Sequence, residues 1–353
     1  MDNPVPAQPA AGQDPADTRS GSAKRFSPLR LVSRLFALFS LVMVAVIVVG
    51  LVGLTRSLSL SSGEGVREQY HSLARDGADK VAIITVEGTI FDGEGFVKKQ
   101  IEQVRNDPGV KAIVLRVNSP GGTVTASDYL YHHLTELVRE RKLPLVVSMG
   151  GIAASGGYYM SMAAGPVEDT LFAEPTTWTG SIGVVIPHYN IAGLLEKWRI
   201  EEDSIKSHPL KQMGSPAREM TDEERRIFQD LVDDSFNRFK EIVKSGRPQF
   251  AKDPEALQRV ATGQVFTTRQ ALANGLVDRE GFLEDAIERA LELAKLDKRT
   301  AQVVRYQRPG GLFDFALSAR SEQRRSDLDA LMDLTTPRAW YLFTWLARDS
   351  DGG

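Results

Sequence analysis

From Lys80 onward the chain repeats one pattern: a short apolar run, a turn, then an amphipathic stretch. Val81–Val86, Ala112–Val117, Pro144–Ser148, Thr170–Ala173 and Ser181–Ile186 read as strands. Phe96–Arg105, Ala126–Arg139 and Gly156–Ala164 read as the helices between them. Strands joined by helical crossovers place the chain in the α/β class. A long amphipathic helix over Asp222–Ser245 and another over Phe282–Lys295 follow. Asp222 and Glu223 sit in the first turn of the former, where the helix dipole favours acids. The pattern gives one globular domain over residues 80–298, with no internal repeat.

What precedes it is of another kind. Residues 1–23 are rich in Pro, Ala, Gly, Asp and Ser and cannot bury enough apolar surface to fold. Leu35–Leu54 then runs about 20 residues without a charge, the length of a membrane-spanning helix. Lys24, Arg25, Arg30 and Arg34 precede it and only Arg56 follows closely, which keeps the N-terminus cytoplasmic. The run is too long for a signal-peptide core and no clear Ala-x-Ala site follows it, so a retained anchor is expected. The expected organisation is a disordered cytoplasmic tail (1–34), a transmembrane anchor (35–54), a polar linker (55–79), the domain (80–298) and a C-terminal tail (299–353). The protein would sit in the cytoplasmic (inner) membrane as a single-pass chain with an extracytoplasmic domain. Within the last tail, Ala339–Leu346 is aromatic and too short to span a bilayer. It reads equally as a contact with the membrane surface and as a packed terminal segment at a subunit contact.

Composition narrows the chemistry. The 353 residues carry a net charge of −3, giving no basic surface for nucleic acid. There are no cysteines, which excludes disulfides, a thiol nucleophile and thiolate metal sites. The five histidines form no HExxH pair, and no metal or cofactor is expected.

Two glycine-rich turns stand where chemistry gathers in such folds, at the carboxyl ends of strands. In Gly150–Tyr159 (GGIAASGGYY), Ser155 lies between small residues at a strand-to-helix turn. A serine there can be a nucleophile with amide donors beside it, and it can equally be an ordinary helix N-cap. In Asn118–Gly122 (NSPGG), a glycine amide can face a substrate carbonyl, although plain turns of this composition are common. A serine nucleophile needs a base. His188 follows a proline with no acidic partner nearby in sequence and reads better as a surface-turn residue. Lys206 and Lys211 are the lysine candidates. A lysine accepts a proton only when neutral, and its ordinary value is ~10.4, so such a base requires burial.

The ordered set NSPGG, ASGGYY, TGSIGV and a lysine before Gly214–Ser215–Pro216 resembles the signal peptide peptidase A (protease IV) family in its short form. Gly263–Asp278 (GQVFTTRQALANGLVD) resembles that family's end region, so the likeness covers roughly residues 80–295. The resemblance implies a crotonase/Clp-protease-like α/β superhelix. It implies Ser155 as nucleophile, Lys211 as general base and Ser181 as the hydroxyl that holds the lysine amine. It implies an oxyanion hole at Gly122 and Gly156, with Gly121 competing for the role. Members of that family usually carry a glycine after the Lys-Ser of the base loop; here His208–Pro209 stands there, and the proline stiffens the approach to Lys211, which keeps Lys206 as the alternative base. The implied activity is endopeptidase cleavage of remnant signal peptides and other short apolar peptides, in a homo-oligomeric ring whose neighbouring protomers complete the Ser-Lys site. A catalytically silent scaffold of the same fold is the alternative. An acyl-CoA enzyme of that fold is disfavoured by the external placement of the domain.

Overall fold

A computed structural model describes residues 66–308 and 340–342, together with Met43. Its strands are β1 (Arg67–Leu73), β2 (Lys80–Glu87), β3 (Val110–Ser119), β4 (Gly121–Thr123), β5 (Leu145–Ala154) and β6 (Leu171–Ala173). They continue with β7 (Trp178–Gly180), β8 (Val265–Thr267), β9 (Arg279–Glu280), β10 (Gln302–Gln307) and β11 (Trp340–Leu342). The helices are α1 (Phe96–Asn106), α2 (Val124–Arg141), α3 (Gly156–Ser161), α4 (Ala192–Lys197) and α5 (Asp222–Gly246). They end with α6 (Pro248–Lys252), α7 (Pro254–Val260), α8 (Thr268–Ala273) and α9 (Leu283–Ala294).

The main sheet runs β1-β10-β2-β3-β5-β6-β9, with β7 pairing the last residues of β5 on one side and β8 on the other. Its centre is parallel, while β1–β10 and β7–β8 are antiparallel, so the α/β expectation holds with a mixed sheet. The apolar runs of β2, β3 and β5 are buried on both faces, as in parallel sheets covered twice. Ala82, Ile84, Ile113, Leu115 and Val147 join the core that packs on α1, α2 and α5. Their neighbours Val81, Ile83, Ala112, Val114 and Val146 face Ala286, Ile287 and Leu291 of α9. The period-two alternation of a strand therefore serves two cores at once.

Three expectations are corrected. Ser181–Ile186 is not a strand; the strand is β7, which ends because Gly180 (φ +83°) and Ser181 (φ +53°) both turn out of extended geometry. The stretch read as linker contains β1, and the stretch read as tail contains β10, which lies between β1 and β2. Both are mostly polar in sequence, and their pairing partners are more than two hundred residues away, so no local pattern betrays them. Lys80 fixes this corner: its Nζ lies 2.8 Å from Glu68 of β1 and 3.0 Å from Asp107 after α1. Burial pushes the Asp107 carboxyl up, but Lys80 and the Gly109 N–H outweigh it and hold it below its ordinary value. Among the described residues no helix is long and apolar enough to cross a membrane. The expected span Leu35–Leu54 lies outside them, apart from Met43.

At the other end, Arg247 and Asp278 form a nearly buried pair at 2.5 Å. Asp278 also accepts the amides of Thr170 and Leu171, both at 2.9 Å. The segment Gly263–Asp278 thus ties the end of α5 to the start of β6.

Candidate active site

Ser155 is the first residue after β5 and the N-cap of α3. Its φ of +53° with ψ of −113° lies outside the regions that L-residues favour, at a cost of about 1–3 kcal/mol. Two bonds hold it there: its N–H donates to the Gly180 carbonyl at 2.8 Å, and its carbonyl accepts from Tyr159 at 2.8 Å. A sharp strand-to-helix turn of this kind presents a side chain at the rim of a sheet. Ser155 is nonetheless 1% exposed, so something covers it.

The NSPGG turn forms one wall. Gly121 donates to the Ser119 hydroxyl at 3.1 Å. Ile90 donates to the Gly121 carbonyl and accepts from Thr123, both at 2.9 Å. With those groups turned to Ile90, the alternation of a strand points the N–H and C=O of Gly122 to the opposite edge. The register partner of Gly122 on that edge is Tyr341 of β11. A methyl group on Gly121 would fall 2.0 Å from the Tyr341 carbonyl oxygen, 2.7 Å from the Gly156 nitrogen and 3.0 Å from Ser155 Cβ. Those three atoms therefore converge on one point. The cover over Ser155 is an extended strand of the chain itself, with a carbonyl beside the serine.

Ser181, the next residue after Gly180, is brought near through β7 and is nearly buried. It lines a groove of about 520 Å³ with Gly183, Gln229, Val232 and Phe236. Gln229 and Val232 also line a second groove of about 540 Å³ that reaches His188, Gly214 and Pro216. His188 makes no bond to Ser155; it is a groove residue whose Nε2 is buried without a partner. Lys211 lies exposed in a short helical turn, Pro209–Gln212, opened by His208, whose ring accepts the Leu210 N–H. No hydrogen bond or ion pair among the described residues links Lys211 to Ser155 or Ser181. Lys206 is exposed and donates to Gln212. The structure thus brings together Ser155, Gly121, Gly122 and Gly156, attaches Ser181, and leaves both lysines on the loop beyond the groove.

The sequence reading missed the strand Trp340–Leu342 as a neighbour of Ser155. The aromatic run that contains it was visible, but its partner, β4, is two hundred residues away. It also missed Ile90, and Ser127, whose hydroxyl would lie 2.4 Å from a methyl group on Gly156. For a metal, His132, His133 and Glu136 of α2 place three ligand atoms within 4.8 Å of one another, and none of the three is hydrogen-bonded to a candidate site residue among the described residues.

The sequence profile of peptidase family S49 matches residues 138–297, from the end of α2 to just past α9. A provisionally named Synechocystis protease is 39% identical over 218 residues, covering 62% of this chain and 76% of its own length. The chain belongs to peptidase family S49. Other members are similar as well. Protease 4 of Salmonella typhi is 38% identical over 229 residues, 63% of this chain and 36% of that protein. A provisionally named signal peptide peptidase of Enterococcus faecium is 34% identical over 227 residues, 63% of each chain. The chain thus spans about a third to two thirds of the length of these two S49 relatives. The profile takes in Ser155, Ser181 and Lys211 and stops before β10 and β11.

Proposed function

We propose that this S49 chain is a membrane-anchored serine endopeptidase that uses a Ser155–Lys211 dyad on extended, apolar peptides. The observation that carries the reading is the strand laid along β4, with a carbonyl oxygen beside Ser155 and the Gly156 nitrogen. Main-chain pairing to an exposed strand edge is how a site holds a peptide of variable sequence. In this reading Ser155 Oγ attacks the carbonyl carbon, and the amides of Gly122 and Gly156 receive the oxyanion. Lys211 takes the serine proton and returns it to the leaving amine, and water then releases the acyl group. Ser181 holds the lysine amine. The superhelical fold of the crotonase and Clp-protease type is the architecture that goes with this site.

The exposure of Lys211 supports an assembly. Tyr189 (70% exposed), Leu194 (56%) and Trp198 (71%) lie in and beside α4, and the Ile191 N–H just before that helix donates to the Pro216 carbonyl of the base loop at 2.8 Å. A second copy covering that apolar surface supplies the burial that a neutral lysine needs, and a ring of such copies completes each site. The anchor over residues 35–54, with the N-terminus in the cytoplasm, places the domain outside the inner membrane. The name of the Enterococcus relative suggests remnant signal peptides as the substrate class.

The test is hydrolysis of apolar peptides across pH by the full chain in detergent, as wild type, Ser155→Ala and Lys211→Ala. The dyad requires activity that rises towards alkaline pH and disappears in both variants. Retained activity in Lys211→Ala moves the base to Lys206. A folded, assembled and inactive wild type favours the silent-scaffold reading.

A further inference from the structure

One face of α2 carries a group of side chains that the peptidase reading does not use. His132, His133 and Glu136 stand at helix positions i, i+1 and i+4, so both imidazoles reach the same carboxylate. His132 Nε2 lies 3.3 Å from Glu136 Oε2, and His133 Nδ1 lies 3.6 Å from that same oxygen. The second separation is too long for a hydrogen bond. His133 Nδ1 is buried with no hydrogen-bond partner. A buried nitrogen in that state is unfavourable in a folded chain unless something binds it.

The spacing says what fits. Zinc takes imidazole nitrogens at about 2.0–2.1 Å and carboxylate oxygens at about 2.0–2.2 Å in a tetrahedron, which sets neighbouring ligand atoms about 3.3–3.5 Å apart. The two distances to Glu136 Oε2 match two edges of that tetrahedron to within a few tenths of an ångström. The third edge, between the imidazole nitrogens, is within 4.8 Å. It closes by a turn of the His132 side chain, which is 60% exposed.

The surroundings hold the other two ligands in place. Tyr129 packs edge-on against His133 at 4.4 Å between ring centroids, and its hydroxyl donates to Glu94. Arg139 lies 3.7 Å from Glu136 Oε1, which leaves Oε2 to the imidazoles. Lys98 and Arg105 of α1 also act on His133, but neither cation is unpaired. Both pair with Glu102, and Arg105 pairs with Glu140 as well. Those carboxylates offset the repulsion that the two cations exert on a divalent ion.

We propose that His132, His133 and Glu136 form a zinc site on α2, with water completing the tetrahedron. Two imidazoles and one carboxylate suit zinc and its neighbours in the transition series, whereas magnesium and calcium take oxygen ligands. The ion ties one turn of α2, the helix whose N-cap, Thr123, ends β4. It binds the folded helix and so stabilises it. The site stands apart from the peptidase reading and does not depend on it.

The untagged full chain in detergent, freed of metal with a chelator, is titrated with zinc chloride by calorimetry. Cobalt(II) chloride, which reports geometry by its colour, is followed by visible absorption. The proteins are wild type, His132→Ala, His133→Ala and Glu136→Gln. Wild type is expected to take up one zinc per chain, to gain thermal stability with zinc, and to give the intense visible bands of tetrahedral cobalt. Each substitution is expected to weaken zinc binding about a hundredfold and to abolish the gain in thermal midpoint.

No zinc uptake by wild type overturns the site. Uptake unchanged in all three variants places the ion on other residues and overturns it equally. Uptake lost in the histidine variants but unchanged in Glu136→Gln overturns the three-ligand assignment. The weak bands of octahedral cobalt overturn the tetrahedral geometry. His132→Ala alters an exposed side chain and so reports even where His133→Ala fails to fold.

Discussion

The N–H of Ser155 donates to the carbonyl of Gly180 at 2.8 Å, so the residue that opens α3 is tied to the residue that ends β7. Ser181 follows Gly180 directly, and both serines carry φ of +53°. One backbone bond therefore sets the separation between the candidate nucleophile and the hydroxyl proposed to hold its base.

Gly180→Ala tests that tie. Gly180 has φ +83°, and a methyl there would lie 2.7 Å from a Phe266 ring carbon. Strain and the displaced ring should cost roughly 1–3 kcal/mol in the denaturant midpoint. Peptide kcat/KM should fall by more than that stability loss explains, because Ser155 and Ser181 move together.

Gly122→Ala should be far less tolerated. Its methyl would meet the Ile90 carbonyl oxygen at 1.9 Å, and that oxygen is pinned by its bond to Thr123. Backbone on both sides leaves nothing to rotate away. Peptide hydrolysis should drop below detection, while far-UV circular dichroism shows the sheet retained. Gly156→Ala meets the Ser127 hydroxyl at 2.4 Å instead, a side-chain clash. Adding Ser127→Gly should restore part of the activity of Gly156→Ala and none of that of Gly122→Ala.

Asp278→Ala removes one partner of a nearly buried pair and leaves Arg247 facing 9% exposure without its carboxylate. The expected loss is about 3–5 kcal/mol in urea unfolding. The amides of Thr170 and Leu171 lose their acceptor in the same step. Arg247→Met combined with Asp278→Leu should be milder than Asp278→Ala alone, since no uncompensated charge remains.

Asp107 sets a pH dependence at the corner that holds β1. Its folded value lies below its unfolded one, because Lys80 and the Gly109 N–H overcome the effect of burial. Its stabilising contribution is then complete above the ordinary aspartate value near ~3.9 and is lost as pH falls through the depressed folded value. Urea midpoints measured from pH 6 down to pH 3 should show a decline that is shallower in Asp107→Asn. Equal slopes in the two proteins would remove Asp107 from the account.

The sequence determined the local parts. Period-two and period-3.6 patterns fixed β2, β3, α1, α2, α5 and α9 to within a few residues, because burial of these elements depends on neighbours one turn or one pleat away. The turns around Ser155 and Gly122 were legible for the same reason, since their glycines answer local steric demands. The tertiary structure alone decided what those turns face. That β10 lies between β1 and β2 was hidden because strand pairing is set by partners distant in the chain. That Tyr341 fills the pocket between Tyr159 and Phe239 was hidden likewise, because a pocket assembled from three helices has no signature in any one of them. Lys211 marks the boundary between the two: family motifs single it out, yet within one chain it stands in solvent. The burial that would make it a base is a property of surfaces brought together, which no stretch of residues encodes by itself.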